Sequence, residues 1–128
     1  MKILLDTHIA LWLFNDYENL SQKALDYLRD EENELYISVA SAWEVAIKSS
    51  LGKLSEFGGG VKRFLHAIQD NPIQLIGIEA TYVEKVEDLP YIHRDPFDRI
   101  IIATALCNEM IILTADESIQ KYDVTWIW

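Results

Sequence analysis

Asp95-Pro96-Phe97-Asp98-Arg99-Ile100-Ile101-Ile102-Ala103-Thr104-Ala105-Leu106 is the stretch on which the fold turns. Asp95 suits an N-cap, Pro96 fits the first helical position because its missing N–H would have no partner there, and the run from Ile100 to Leu106 is nearly apolar all round. A helix of that kind must be buried. Ile111-Ile112-Leu113-Thr114 follows at once and predicts a strand, so a buried helix feeds a short apolar strand.

The same alternation extends in both directions. Ile3-Leu4-Leu5 predicts a first strand ending at Asp6, and the segment through Phe14, with Ile9, Trp12 and Leu13 at helical spacing, predicts a helix. Leu20-Ser21 marks another helix entrance, with Ser21 as N-cap and Leu20 stapled to Leu25. Leu35 to Ser38 predicts the second strand, and Ser41-Ala42-Trp43-Glu44 opens a helix that Gly52 stops. Gly58-Gly59-Gly60 is the flexible point before a helix bearing Val61, Phe64, Leu65 and Ile68. Asn71-Pro72 breaks that helix, Ile73 to Ile78 predicts a third strand, and Glu79 to Leu89 a further helix. Asp116 begins a short helix and Val124 to Ile127 a fifth strand. Strands alternating with helices predict an α/β fold layered around a mainly parallel sheet.

With 128 residues, the chain is expected to form one domain, residues 1–128. Half of the residues are hydrophobic and a quarter charged, the balance of a globular protein. The apolar run at the start meets Asp6 too soon to serve as a signal core or membrane span, so the expected location is cytoplasmic, with no membrane partner. The single cysteine, Cys107, lies in an apolar helical stretch and is expected in the core. A net charge of −10 argues against a non-specific nucleic-acid binder, which needs clustered Lys and Arg. A bound divalent cation would turn an acidic pocket from repelling phosphate to attracting it.

In a parallel sheet the C-terminal strand ends and the following helix starts share one edge, where ligands bind. Asp6, Glu44, Asp98 and Asp116 all fall at such junctions. Each could be a cap: Ser41-x-x-Glu44 fits a capping box, Asp98 stands where the helix dipole favours an acid, and Asp6 and Asp116 suit N-caps. Together they repel one another and must be protonated or bridged by a cation, and several carboxylates at one strand edge predict a divalent metal. Oxygen ligands favour Mg2+ or Mn2+ over Zn2+, and His8, His66 and His93 lack zinc spacing. The helix dipoles are expected to keep the acids ionised at neutral pH.

Four segments carry a family likeness: Leu5-Asp6-Thr7; Ser41-Ala42-Trp43-Glu44; His93-Arg94-Asp95-Pro96-Phe97-Asp98-Arg99 leading into Ile102-Ala103-Thr104-Ala105; and Leu113-Thr114-Ala115-Asp116. In this order the chain resembles PIN-domain ribonucleases, especially the VapC-like toxins of toxin–antitoxin pairs. The resemblance implies a three-layer α/β/α fold with strand order 3-2-1-4-5, and Asp6, Glu44, Asp98 and Asp116 as a metal-binding catalytic quartet. Asp6 and Asp98 would be the direct ligands, with Glu44 and Asp116 acting partly through water. It implies hydrolysis of RNA phosphodiester bonds with Mg2+ or Mn2+, and no side-chain nucleophile. A cognate antitoxin and a homodimer are the partners it implies.

Thr7, Ser41 and Thr114 are candidates to orient water or an acid, and Asp95 is assigned to capping. Lys48, His93, Arg94 and Arg99 are the basic residues nearest the acids and the candidates to grip RNA, with Lys53, Lys62 and Arg63 behind them. His93 is not expected to act as acid or base. Trp12, Trp43, Trp126 and Trp128 are expected in core or interface packing. Two alternatives stand beside this reading. One is a catalytically silent protein-binding module in which the acids are only caps. The other is a Mg2+-dependent phosphatase, disfavoured because His8 stands where a second acid is needed.

Overall fold

The computed structural model describes residues 1–128. Its elements in chain order are β1 (Lys2–Leu5), α1 (Thr7–Asn15), α2 (Gln22–Arg29), β2 (Glu34–Ser38), α3 (Val39–Ser50), α4 (Gly60–Gln69), β3 (Ile73–Ile76), α5 (Ala80–Asp88), α6 (Pro96–Asn108), β4 (Ile111–Leu113), α7 (Glu117–Gln120) and β5 (Trp126–Ile127). The five strands form one sheet in the order β3-β2-β1-β4-β5, and every pairing is parallel. This is the α/β/α fold and strand order expected from the sequence.

The strand alternation explains the layers, since successive side chains leave a sheet on opposite faces. Ile3 and Leu5 of β1 join Leu35, Ile37 and Leu113 in one core, closed by Ile9 and Ala10 of α1, Ala24 of α2, Val45 of α3, and Phe64 and Ile68 of α4. Leu4 points the other way with Ile112, into a second core made with Tyr82 of α5, Ile101, Ile102 and Ala105 of α6, and Ile119 of α7. The central strand β1 is therefore apolar on both faces, and its three apolar residues are fully buried.

The pairing register aligns the strand ends. Leu5 of β1 stands opposite Ile37 of β2 and Leu113 of β4. Asp6 comes one residue later, its backbone N–H bonded to the Leu113 carbonyl at 3.2 Å. The following helices start at this edge, with Asp6, Ser38, Asp95 and Asp116 as N-caps whose side chains accept backbone N–H bonds.

Several expectations need correction. Helix α3 begins at Val39 under a Ser38 cap, so Ser41 and Glu44 lie inside the helix and do not form a capping box. The Ser38 hydroxyl reaches the Ala40 N–H at 3.0 Å, leaving the first turn no need of Ser41. Strands β3 and β5 are shorter than their apolar runs, because Ile78 and Val124 lie beyond the paired register. Cys107 is exposed, not in the core: it falls on the one face of α6 that meets water. Trp43 and Trp126 are 58% and 43% exposed, so core packing does not describe them. Trp12 and Trp128 do pack together, with ring centroids 5.8 Å apart, against the first core. No helix is long and apolar enough to cross a membrane.

Phe64 is fully buried on α4 and meets Phe14 and Phe57 edge-on at 5.6 and 6.1 Å. Phe64→Ala is expected to lower the unfolding free energy by about 3–5 kcal/mol, the range for emptying such a site. A shift in the urea midpoint at unchanged slope is the readout.

Candidate metal centre

Asp6 is 2% exposed, and both of its oxygens are held. Oδ1 accepts the Ile9 N–H at 2.8 Å, the capping bond of α1, while Oδ2 accepts the hydroxyl of Thr114 in a short contact. Thr114 is itself fully buried, and its oxygen also accepts the Asp116 N–H at 3.0 Å. One hydroxyl thus ties the acid after β1 to the acid after β4. Thr114 has this bridging place, where strand position alone suggests only local backbone satisfaction.

Glu44 reaches the same edge from within α3 and is 3% exposed. Its Oε2 pairs with Lys48 Nζ at 2.5 Å, one helical turn on. Its Oε1 is buried and has no hydrogen-bond partner. An ionised oxygen without a partner is costly in a low-dielectric site, and a cation is the partner that the geometry lacks. Burial works against the Lys48 ammonium, but the hydrogen bond and charge of Glu44, with Asp95 and Asp98 behind them, outweigh it and raise its pKa. Lys48 is thereby committed to Glu44.

Asp98 is the third residue of α6, its N–H bonded to Asp95 Oδ1 at 3.1 Å. Asp95 also accepts the Phe97 N–H at 2.8 Å, which makes it the cap. Burial raises the Asp98 pKa to about 8, and the charges of Asp95, Glu44, Asp6 and Asp116 add to the rise. The four predicted acids are therefore close enough to feel one another. Burial likewise raises the Asp6 pKa, against the opposing pull of Thr114, Ile9 and His8. Helix dipoles do not keep Asp98 ionised at neutral pH, contrary to expectation: dehydration and like charge win.

Asp116 caps α7 through Oδ1, which accepts the Ser118 N–H at 2.8 Å. Its Oδ2 lies 3.2 Å from His93 Nε2, and the same nitrogen lies 2.8 Å from Asp98 Oδ2. One ligand-type atom from each of His93, Asp98 and Asp116 falls within a sphere where all are less than 4.8 Å apart. Asp6, Asp116, His8, Trp12 and Ala115 line a shallow cleft of about 200 Å³ beside them. His93 and His8 are the site residues that sequence reasoning undervalued. His93 adjoins the Asp95 cap, a position that hinted at its nearness to Asp98.

The basic candidates divide. Arg99 is buried and is not a surface contact: its guanidinium donates to the carbonyls of Pro90, Val86, Leu89 and His93 and to the Tyr122 hydroxyl at 3.0–3.5 Å. Arg63 bonds Gly58, Phe14 and Asn15 and lies over the Phe57 ring, so it secures the glycine loop. Arg94, Lys53 and Lys62 remain exposed. Thr7 donates to Ser41 at 2.9 Å in a buried pair linking α1 to α3.

Residues 3–124 match the PIN domain family. The chain belongs to that family. This PIN domain is similar in fold to VapBC2 from Rickettsia felis, solved bound to a DNA fragment from its promoter, with a TM-score of 0.74 and 16% identity over 99% of this chain and 98% of that one. It is also similar to VapBC-1 from nontypeable Haemophilus influenzae, at TM-score 0.67 and 16% identity over 99% and 97% of the two chains. FitAcB from Neisseria gonorrhoeae gives 0.64 and 17% over 98% and 96%. Among curated proteins no sequence matches significantly. The donor set of this PIN domain, buried carboxylates with one oxygen orphaned, fits a hard divalent cation.

The raised carboxyls set a direction for pH. Folded Asp98 holds its proton up to about pH 8, whereas the ordinary value is 3.8, so its contribution to stability is full below 3.8 and is lost as pH rises toward 8. Thermal unfolding of the metal-free protein is expected to show a falling Tm across that window. Mg2+ should raise Tm more at pH 8 than at pH 5, and Asp98→Asn should flatten the metal-free profile. A metal-free Tm that climbs steadily with pH would contradict this assignment.

Proposed function

We propose that this PIN domain is a Mg2+- or Mn2+-dependent endoribonuclease, with Asp6, Glu44, Asp98 and Asp116 as its catalytic and metal-holding residues. The observation that carries the reading is the crowding of these acids at the C-terminal edge of the sheet, with Glu44 Oε1 left without a partner. PIN domains are typically nucleases, which agrees with that chemistry.

When bound, a divalent cation supplies a water of lowered pKa and offsets the negative charge that grows on the scissile phosphate. The protein's own part is positioning. Asp6 is fixed through both oxygens by Ile9 and Thr114, so it presents a preset carboxylate. Lys48 holds one oxygen of Glu44 and leaves the other buried without a partner. The reaction needs no side-chain nucleophile, and the Thr7 hydroxyl donates to Ser41. Arg94, exposed and next in the chain to His93 and Asp95, is the basic residue we assign to contact with an RNA backbone.

The toxin role and its partners belong to the same proposal. The similar structures include VapBC and toxin–antitoxin complexes, which supports a cognate antitoxin for this chain. A cleft of about 240 Å³ lined by Trp43, Ile78, Val83, Val86, Phe97 and Ile100 beside the acids offers apolar surface for protein contact, whether antitoxin or second copy.

Purified protein is expected to cleave single-stranded RNA with Mg2+ or Mn2+ and to stop when a chelator is added. Asp6→Asn and Asp98→Asn should each lose activity by more than about 100-fold while remaining folded, beyond the loss typical of a residue that only supports a ligand. Wild-type rates in those variants would sink the mechanism. Arg94→Ala should weaken RNA binding about equally for all sequences and reduce the log–log salt slope by about one. Filter binding at several salt concentrations checks this.

A further inference from the structure

We infer that His93 is a positioning residue of the cation centre: its Nε2–H joins the carboxylates of Asp98 and Asp116 into one unit, and it does so without itself binding the cation. The inference rests on the reading of this edge as a cation site.

His93 lies in the loop between α5 and α6, yet its place is closely determined. The backbone N–H groups of Ile92 and His93 both donate to the Tyr122 hydroxyl, at 3.2 and 2.8 Å. Arg99 donates to that same hydroxyl at 3.1 Å and to the Pro90 carbonyl at 3.0 Å. Tyr122 is 5% exposed and Arg99 8%, so a buried hub grips the loop on both sides of the imidazole. A loop without a task at its tip has no use for a buried guanidinium.

The ring's hydrogen bonds then fix its role. The Asp95 N–H points at His93 Nδ1 at 3.2 Å, so Nδ1 accepts and the ring proton resides on Nε2. That Nε2–H faces Asp98 Oδ2 at 2.8 Å and Asp116 Oδ2 at 3.2 Å. A nitrogen that carries a proton has no lone pair for a metal. Ligation through Nε2 would require the proton to move to Nδ1, against the Asp95 N–H. The three atoms that look like a metal triad are thus two acceptors and a donor.

Two consequences follow for the cation. With Oδ2 of both acids turned to His93, Asp98 Oδ1 is free to face it, while Asp116 Oδ1 serves the α7 cap. With His93 withdrawn, the ligands that Asp6, Glu44, Asp98 and Asp116 offer are oxygens, which favours Mg2+ over Zn2+. The donor also relieves repulsion between two acids that must approach each other, as outer-shell hydrogen bonds do for metal-ligating carboxylates.

The test uses the full chain with Mg2+ alone as probe. Long-range ¹H–¹⁵N correlation spectra of histidine should show His93 protonated on Nε2 without Mg2+ and still so at saturation. Isothermal titration should show Mg2+ binding weakened about ten-fold or more in His93→Ala and largely restored in His93→Gln, whose amide can donate in place of Nε2–H. Three results would overturn the inference: a proton on Nδ1, an Nε2 deprotonated by Mg2+, or His93→Ala binding as tightly as wild type. Should His93→Ala fail to fold, the wild-type spectra and His93→Gln decide alone. Absence of Mg2+ and Mn2+ binding by the wild type would instead remove the cation-site reading, and this inference with it.

Discussion

Like charge brought together out of water is the constraint around which this molecule is arranged. Asp6 and Glu44 are almost wholly buried, and Asp98 feels both of them as well as Asp95 and Asp116. Folding alone would not gather these groups, because each loses hydration and gains a repelling neighbour. The fold opposes that cost with hydrogen bonds to Asp6, a lysine on Glu44, an imidazole on Asp98 and Asp116, and two apolar cores that hold the strands in register. The remaining imbalance shows in the raised pKa of Asp6 and Asp98, and on the function proposed above a bound cation would relieve it.

The two cores divide the task. Asp6 and Glu44 stand on helices anchored in the first core, through Ile9 and Val45, whereas Asp98 and Asp116 begin helices anchored in the second, through Ile101 and Ile119. The sheet between them is the rigid member, and β1 is buried on both faces. Geometry at the edge depends on both layers at once. Thr114 and His93 are the side chains that bind the acids across it, the first from a strand and the second from a loop.

Much of this is legible in the sequence because the signals are local. Apolar periodicity separates β1 from α1 and β4 from α7, and Asp95-Pro96 marks the start of α6 with little ambiguity. The four acids stand out because strand ends and helix starts are adjacent in the chain. What is not legible depends on distant contacts. Ser38 outcompetes Ser41 for the cap of α3 because the helix starts directly where β2 ends, with no intervening loop. Arg99 reads as a surface base until Tyr122 and the carbonyls of the preceding loop surround it. His93 becomes a partner of Asp116 only through a contact spanning 23 positions. Cys107 and Trp43 show the reverse limit: apolar neighbours in sequence do not say which side of a helix meets water.

The bond between Thr114 and Asp6 joins positions 108 apart. During synthesis β1 and its acid are made well before the hydroxyl that fixes that acid, the strand that flanks it and the acid after β4. Until those partners are made, a nascent chain carries an unfinished centre. The centre is assembled only once β4 has paired with β1.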